Sequence, residues 1–217
     1  MNIRRNTTLR HSFIRTNDDS IRMYAGSLDG FGNRPGPPRG VPAYAVGVED
    51  VTVQQLFNGA VLQIGWEDAG ITDSWVRGVD VVGAEWYKTG GLESNDAVFS
   101  LRPPVYDLTL PQHHQNISVE GVRVDRPVGR LVGVGLFGSV PNSSVIGLAF
   151  KDITTTAPLR WWSTNSSAAH LGDNFVGAAG PDRISGVSFA RVVVAGKRVR
   201  SDGDWAMNVS GCLVRYT

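Results

Sequence analysis

The feature that most constrains this chain is a tetrad, Gly-apolar-x-apolar, recurring in a sequence that alternates apolar and polar residues almost throughout. It appears as GVDV (Gly78 to Val81), GVRV (Gly121 to Val124), GLAF (Gly147 to Phe150) and GVSF (Gly186 to Phe189). Each copy follows another apolar residue, so the full unit reads like ISVEGVRV. The four glycines lie 43, 26 and 39 residues apart. Period-two alternation places successive side chains on opposite faces of a strand. The 26 glycines and 11 prolines cut the chain into short runs rich in Val, Ile, Phe and Thr, which predicts many strands joined by turns. No window of eleven or more residues carries helical spacing with a capped start. The expectation is an all-β protein.

Self-similarity at 20 to 50 residues is the mark of a solenoid, whose units bury their apolar sides only by stacking. A right-handed parallel β-helix is therefore expected, as one domain over residues 1–217, with variable spacing taken up by protruding loops. A β-sandwich is the alternative, through a hairpin at Asn58-Gly59 between VTVQQLF and AVLQIGW. Two segments break the alternation: the Gly/Pro-rich stretch 27–40 and the polar, small-residue stretch 161–183.

Lys plus Arg number 21 against 20 Asp plus Glu, so the chain lacks the basic footprint of a nucleic-acid binder. No apolar run approaches the roughly 20 residues that span a bilayer. Neither nucleic acid nor membrane is an expected partner. The N-terminus has no apolar h-region and no cleavage site, so no signal peptide is read. Cys212 is the sole cysteine; it is read as a buried strand thiol rather than a nucleophile. Asn-x-Ser/Thr triplets at Asn6, Asn116, Asn142, Asn165 and Asn208 suit either glycosylation or turns.

Two stretches hold the candidate site. In RTNDDSIRMY, alternation puts Ile21 and Met23 on one face and Asp18, Arg22 and Tyr24 on the other, a carboxylate, a guanidinium and a phenol in a row. Asp19 shares parity with the core residue Ile21, where an unpaired carboxylate does not belong. Either Asn17-Asp18-Asp19 bends to bring both acids to one groove, or Asp19 caps a turn. Adjacent acids in a groove push their pKa values apart, which lets one serve as acid and the other as base. In NGAVLQIGWED, Leu62, Ile64 and Trp66 share one parity and Gln63 and Glu67 the other, and a Trp face can stack against sugar C–H groups. Trp75, Trp86 with Tyr87, and Trp161 with Trp162 add to the aromatic inventory. GVGLFG at Gly133 to Gly138 lacks the following helix of a dinucleotide site, and His113-His114 read as a polar turn rather than metal ligands. No metal or cofactor is expected.

Taken in order, NTTLRHSFIRTNDDSIRMY, VTVQQLFNGAVLQIGW, ISVEGVRV and ISGVSFARVVVAGKRV resemble glycoside hydrolase family 49, the dextranase and isopullulanase family, over most of the chain. Its most specific elements here are Asn17, Asp18, Asp19, Arg22 and Tyr24, then Asn58 to Trp66. The resemblance implies a pectin-lyase-like right-handed β-helix, secretion, and hydrolysis of an α-glucan such as dextran or pullulan with inversion, by a monomer. Asp18 would be the general acid and Asp19 part of the base, with Asn17, Arg22, Tyr24, Gln63 and Trp66 binding substrate. Inversion needs two carboxyl groups roughly 6.5 to 9.5 Å apart. The family's remaining catalytic aspartate would stand one coil before Asn17, where this sequence has no acid. The chain thus reads as the C-terminal part of the catalytic β-helix, truncated at its N-terminus, without the family's N-terminal β-sandwich. Arg22 stands where the family usually has Lys. The alternatives are a non-catalytic carbohydrate-binding or structural β-helix, and a polygalacturonase- or lyase-like enzyme; the polygalacturonase signatures Gly-His-Gly and Arg-Ile-Lys are absent, and the near-neutral charge speaks against the basic groove of a lyase.

Overall fold

The computed structural model describes residues 2–3, 5–16, 19–23, 42–55, 59–64, 70–84, 97–101, 110–125, 128, 130–136, 140–157 and 174–217. In chain order the strands are β1 (Asn2–Ile3), β2 (Thr8–Thr16), β3 (Ile21–Met23), β4 (Ala43–Tyr44), β5 (Gly47–Gln55), β6 (Leu62–Ile64), β7 (Ile71–Ala84), β8 (Ala97–Leu101), β9 (His113–Val124), β10 (Arg130–Gly135), β11 (Ser144–Thr155), β12 (Asn174–Gly177), β13 (Arg183–Ser185), β14 (Val187–Ala190), β15 (Val193–Val194), β16 (Lys197–Arg198), β17 (Met207–Ser210) and β18 (Val214–Tyr216). The one helical element among the described residues is a single 3-10 turn at Asp202–Asp204. The all-β expectation holds.

Two sheets take turns along the chain. Strands β1, β3, β6, β8, β10, β12 and β17 pair in that order in a seven-stranded sheet; β2, β5, β7, β9 and β11 run in order through an eleven-stranded one. Every pairing is parallel except the short β15–β16 pair. Strands buried on one face alternate apolar and polar residues, and the inward positions are filled by β-branched residues: Val48, Val76 and Val119 stand in register and are buried. Further along the same row stand Phe150, Phe189 and Tyr216. Phe150 and Phe189 stack at 4.9 Å, and Phe99 meets Phe150 edge-on at 5.0 Å. The Asn58-Gly59 hairpin is not formed: β5 pairs with β2 and β7, whereas β6 pairs with β3 and β8.

The long strands bend sharply at two residues with positive φ. The register aligns His11, Asp50, Gly78, Gly121, Asp152 and Arg191 at one bend. Asn6, Ala45, Asp73, Asn116, Gly147 and Gly186 align at the other. The recurring glycine tetrad therefore marks two different corners. Gly78 and Gly121 belong to the first, Gly147 and Gly186 to the second, and the 26-residue interval between the pairs is a step from one corner to the other. The left-handed region is strained for L-residues other than Asn, Asp and Gly. Side chains at these bends hold one another: His11 Nδ1 lies 3.7 Å from Asp50 Oδ2, Asn116 Nδ2 donates to Asp73 Oδ1 at 3.0 Å, and Arg191 donates two bonds to Asp152. At Gly78 and Gly147 such a side chain lies across the glycine of the next corner. A Cβ on Gly78 would stand 2.7 Å from Asp50 Oδ1, and one on Gly147 would stand 3.2 Å from Asn116 Oδ1.

Where the ladder leaves the sheets, side-chain acceptors take backbone N–H groups of the neighbouring repeat. Val46 donates to Ser74 Oγ, Gln112 to Ser143 Oγ, Ser143 to Asp182 Oδ1, and Leu131 and Val132 both to Asn174 Oδ1. Ile71 donates to His114 Nδ1 at 3.2 Å. His113-His114 is thus the start of β9 and not a turn: His113 is exposed and contacts Ser144 Oγ, and His114 is wholly buried. Cys212 lies in the turn after β17 and not in a strand, half-buried, its thiol pKa raised by burial.

Two predictions test these assignments. Ala45, with φ of 51°, carries a left-handed penalty of about 1–2 kcal/mol that glycine avoids at an entropic cost of about 0.5–1. Ala45→Gly should raise stability by roughly 0.5 kcal/mol, whereas Gly78→Ala should lower it by at least about 1–2 kcal/mol, both read from urea midpoints. Burial, with a smaller contribution from His113, pushes the His114 pKa down from 6.5 to about 4. The unfolded chain then takes up the proton first, so stability is complete above about pH 6.5 and falls towards pH 4, by on the order of 3 kcal/mol. His114→Asn keeps an acceptor for Ile71 N–H and should flatten the difference in urea midpoint between pH 7 and pH 5.

Candidate functional site

The seven-stranded sheet positions the site. In β3, Ile21 and Met23 point inward and are buried, which turns Arg22 outward. Arg22 stands in register with Gln63 of β6, Gln63 with Ser100 of β8, and Ser100 with Gly133 of β10. Phe175 of β12 follows Gly133, and the Arg130 guanidinium lies 4.9 Å from the Phe175 ring centre. A polar row thus crosses successive strands of one sheet face.

Asp19 sits at the entry to β3, its side chain 8% exposed. Oδ1 accepts from Ala60 N at 2.7 Å, and Oδ2 lies 3.5 Å from Arg22 Nε. The backbone is tied at the same place, with Ser20 N donating to Ala60 O and Ile21 N to Val61 O, both at 3.0 Å. Thr16 Oγ1 and Ser20 Oγ lie 2.8 Å apart. Asp19 therefore does what Ser74, Ser143, Asp182 and Asn174 do elsewhere: it accepts a backbone N–H of the adjoining repeat. The bend of Asn17-Asp18-Asp19 expected as one arrangement lies outside the described residues, and the Asp19 carboxylate bonds a backbone N–H 41 residues on rather than one of its own turn. Both carboxylate oxygens face donors, the geometry of an acceptor rather than of a proton donor.

Gln63 and Ser100 have almost no exposed surface. Gln63 Nε2 donates to Ile64 O at 3.1 Å, and neither Gln63 Oε1 nor Ser100 Oγ has a hydrogen-bond partner among the described residues. Buried acceptors left open are costly, by about 1–3 kcal/mol each, and such positions are completed by ordered water or by a ligand's hydroxyl groups.

Of the residues expected at the site, the structure brings together Asp19, Arg22 and Gln63. Asn17, Asp18, Tyr24 and Trp66 lie outside the described residues. Ser100 joins the row, and Arg130, in register with Ala97, reaches the Phe175 ring at its end, neither having been singled out in the sequence. The available signal was the serine interrupting AVFSL at the position that pairs with Gln63. It is invisible without the register, since β6 and β8 are far apart in the chain.

The class that fold and site define is an all-β protein of parallel sheets with a buried polar row in register across one of them. No family model, curated protein or solved structure matches the chain.

Removing the Asp19 carboxylate orphans Ala60 N–H and removes one ion-pair contact of Arg22. Asp19→Ala should lower stability by about 2 kcal/mol. Asp19→Asn, which keeps one acceptor, should cost less; equal urea midpoints for Asp19→Ala and the parent chain would remove the capping role.

Proposed function

We propose that the chain winds as a right-handed parallel β-helix of pectin-lyase-like form and binds an extended α-glucan at the Arg22 end of its seven-stranded sheet. The winding is supported by the alternation of the two sheets along the chain from β5 to β12, each visit adding a strand beside the last. Parallel crossovers within a sheet are right-handed in nearly all cases. The binding reading is carried by one observation: Gln63, some forty residues on in the sequence at roughly one repeat's distance, stands beside the Asp19–Arg22 pair, and Gln63 Oε1 and the adjoining Ser100 Oγ are open acceptors among the described residues. Arg22, 24% exposed at its side chain, is the accessible member and offers guanidinium donors to sugar oxygens. Gln63 and Ser100 lie behind it and complete the polar lining.

The fuller reading is inverting hydrolysis, with Asp18 as general acid and Asp19 as part of the base. What favours it is the Asp19 carboxylate, held in a fixed orientation beside Arg22. Single displacement asks one carboxylate to activate water, and both Asp19 oxygens already face donors within the protein. Geometry therefore ranks binding ahead of turnover.

The test pairs binding with turnover. Isomaltohexaose and maltohexaose are titrated calorimetrically into the parent chain, Arg22→Ala and Gln63→Ala, and reducing ends are counted after incubation with dextran and pullulan. Saturable binding that weakens tenfold or more in Arg22→Ala, about 1.4 kcal/mol, is the expected result. Unaltered affinity in both variants would sink the assignment. Release of reducing ends that disappears in Asp18→Asn would promote the hydrolase reading over the binding one.

A further inference from the structure

Trp75 projects from the eleven-stranded sheet, on a surface that the reading above does not use. It stands in register with Gly47, and across the next strands with Ser118, Ala149 and Ser188. The indole lies down on Gly47. A Cβ there would stand 2.7 Å from Cε2 and Cζ2 and 2.9 Å from Nε1, so any side chain at residue 47 would displace the ring. Nε1–H donates to Glu49 Oε1 at 2.7 Å. Glu49 Oε2 lies 4.0 Å from Arg10 Nη2, and the exposed Arg77 guanidinium borders the ring at 5.9 Å from its centre.

These contacts fix the indole before anything binds: part of the ring lies against the Gly47 backbone, its N–H is tied to Glu49, and the Arg77 guanidinium lies over the ring toward its edge, while the residue as a whole stays only half-buried. The cost of ordering a large side chain has already been met within the fold, which is the condition for an effective recognition platform. Between the ring and Arg215, which follows Ser188 in the row, stand only Ser118, Ala149 and Ser188, leaving a shallow strip three strands wide. Its border is the charged row Glu49, Arg77, Glu120 and Lys151, which alternates in sign from strand to strand.

We infer that Trp75 is the stacking platform of a second saccharide-binding site, with Glu49, Arg77 and Ser118 as the polar groups that meet sugar hydroxyls. An indole face flanked by a carboxylate and a guanidinium fits a pyranose, which offers an apolar C–H face ringed by donors and acceptors. A chain of sugar rings laid across the strands would pass from Trp75 over Ser118 towards Ser188. The near balance of charge around the ring favours a neutral saccharide over a polyanion.

The experiment follows the indole N–H resonances of the full chain, which has six tryptophans, while isomaltohexaose, maltohexaose or cellohexaose is added. The Trp75 signal is identified by its loss in Trp75→Phe. Saturable movement of that signal with at least one of the three sugars is expected. Trp75→Ala should weaken binding at this site tenfold or more, and Gly47→Ala, which keeps the indole but lifts it from its seat, should act in the same direction. Arg22→Ala should leave the Trp75 response unchanged, which separates this site from the one on the seven-stranded sheet. A Trp75 signal that none of the sugars moves would overturn the inference, whatever Trp75→Ala does to folding. Equal affinity in folded Trp75→Ala would do the same.

Discussion

The parallel hydrogen-bond ladder between successive long strands is what the rest of the structure depends on. It survives two sharp bends per strand only because the bends stack on one another. At each bend the backbone enters the left-handed region, which an isolated Arg, His or Ala avoids. In register, such residues gain partners: Arg191 is held by Asp152, His11 stands against Asp50, and Asn116 donates to Asp73. Gly78 and Gly147 occupy positions that a neighbouring corner side chain overlies, Asp50 and Asn116 respectively, whereas Gly121 and Gly186 each lie against the backbone of the preceding corner glycine. Strain and its relief thus lie in adjacent repeats, and neither can be assigned to one residue alone.

The same register organises the surface. Strands in a sheet are about 4.8 Å apart, so a row of equivalent positions brings side chains into contact whatever the chain length between them. Lys151 reaches Glu120 across 31 residues, Arg123 reaches Asp80 across 43, and Arg191 reaches Asp152 across 39. Alternation of sign along Arg10, Glu49, Arg77, Glu120 and Lys151 follows from this geometry, since like charges in adjacent strands would repel. Exposed pairs of this kind add little stability individually; their larger effect is on register, because a slip of one repeat would set like charges against each other.

Period-two alternation made the all-β character legible, and it placed Ile21 and Met23 inside with Arg22 outside, as the structure has them. The glycine tetrads were legible as a repeat but not as corners, still less as two kinds of corner, because Gly78 and Gly147 look alike until the register separates them. The corners built from His11, Asp50, Asp152 and Arg191 gave no signal, since nothing in a single sequence says that an arginine will be held left-handed by an aspartate 39 residues earlier. Asp19 and Gln63 could be singled out by residue type. Ser100 could not, and neither could the seat that Gly47 makes for Trp75. Both depend on which residues face each other across strands, and that is set by loop lengths that carry no periodic signal.

Asp19 shows how function and fold compete for the same chemistry here. A carboxylate at a point where the ladder leaves the sheet is needed to accept Ala60 N–H, just as Asp182 is needed for Ser143 N–H. An aspartate beside another aspartate in the sequence is therefore weak support for catalysis in this architecture, because its repeats recruit acceptors at equivalent places for structural reasons. Trp75 presents the opposite case. A half-buried indole on a sheet surface satisfies no backbone group and fills no interior space, and the glycine beneath it gives up side-chain packing to seat it. Residues whose placement the ladder does not require are the ones whose chemistry points outward, and by that criterion Trp75 carries a stronger functional signal than Asp19.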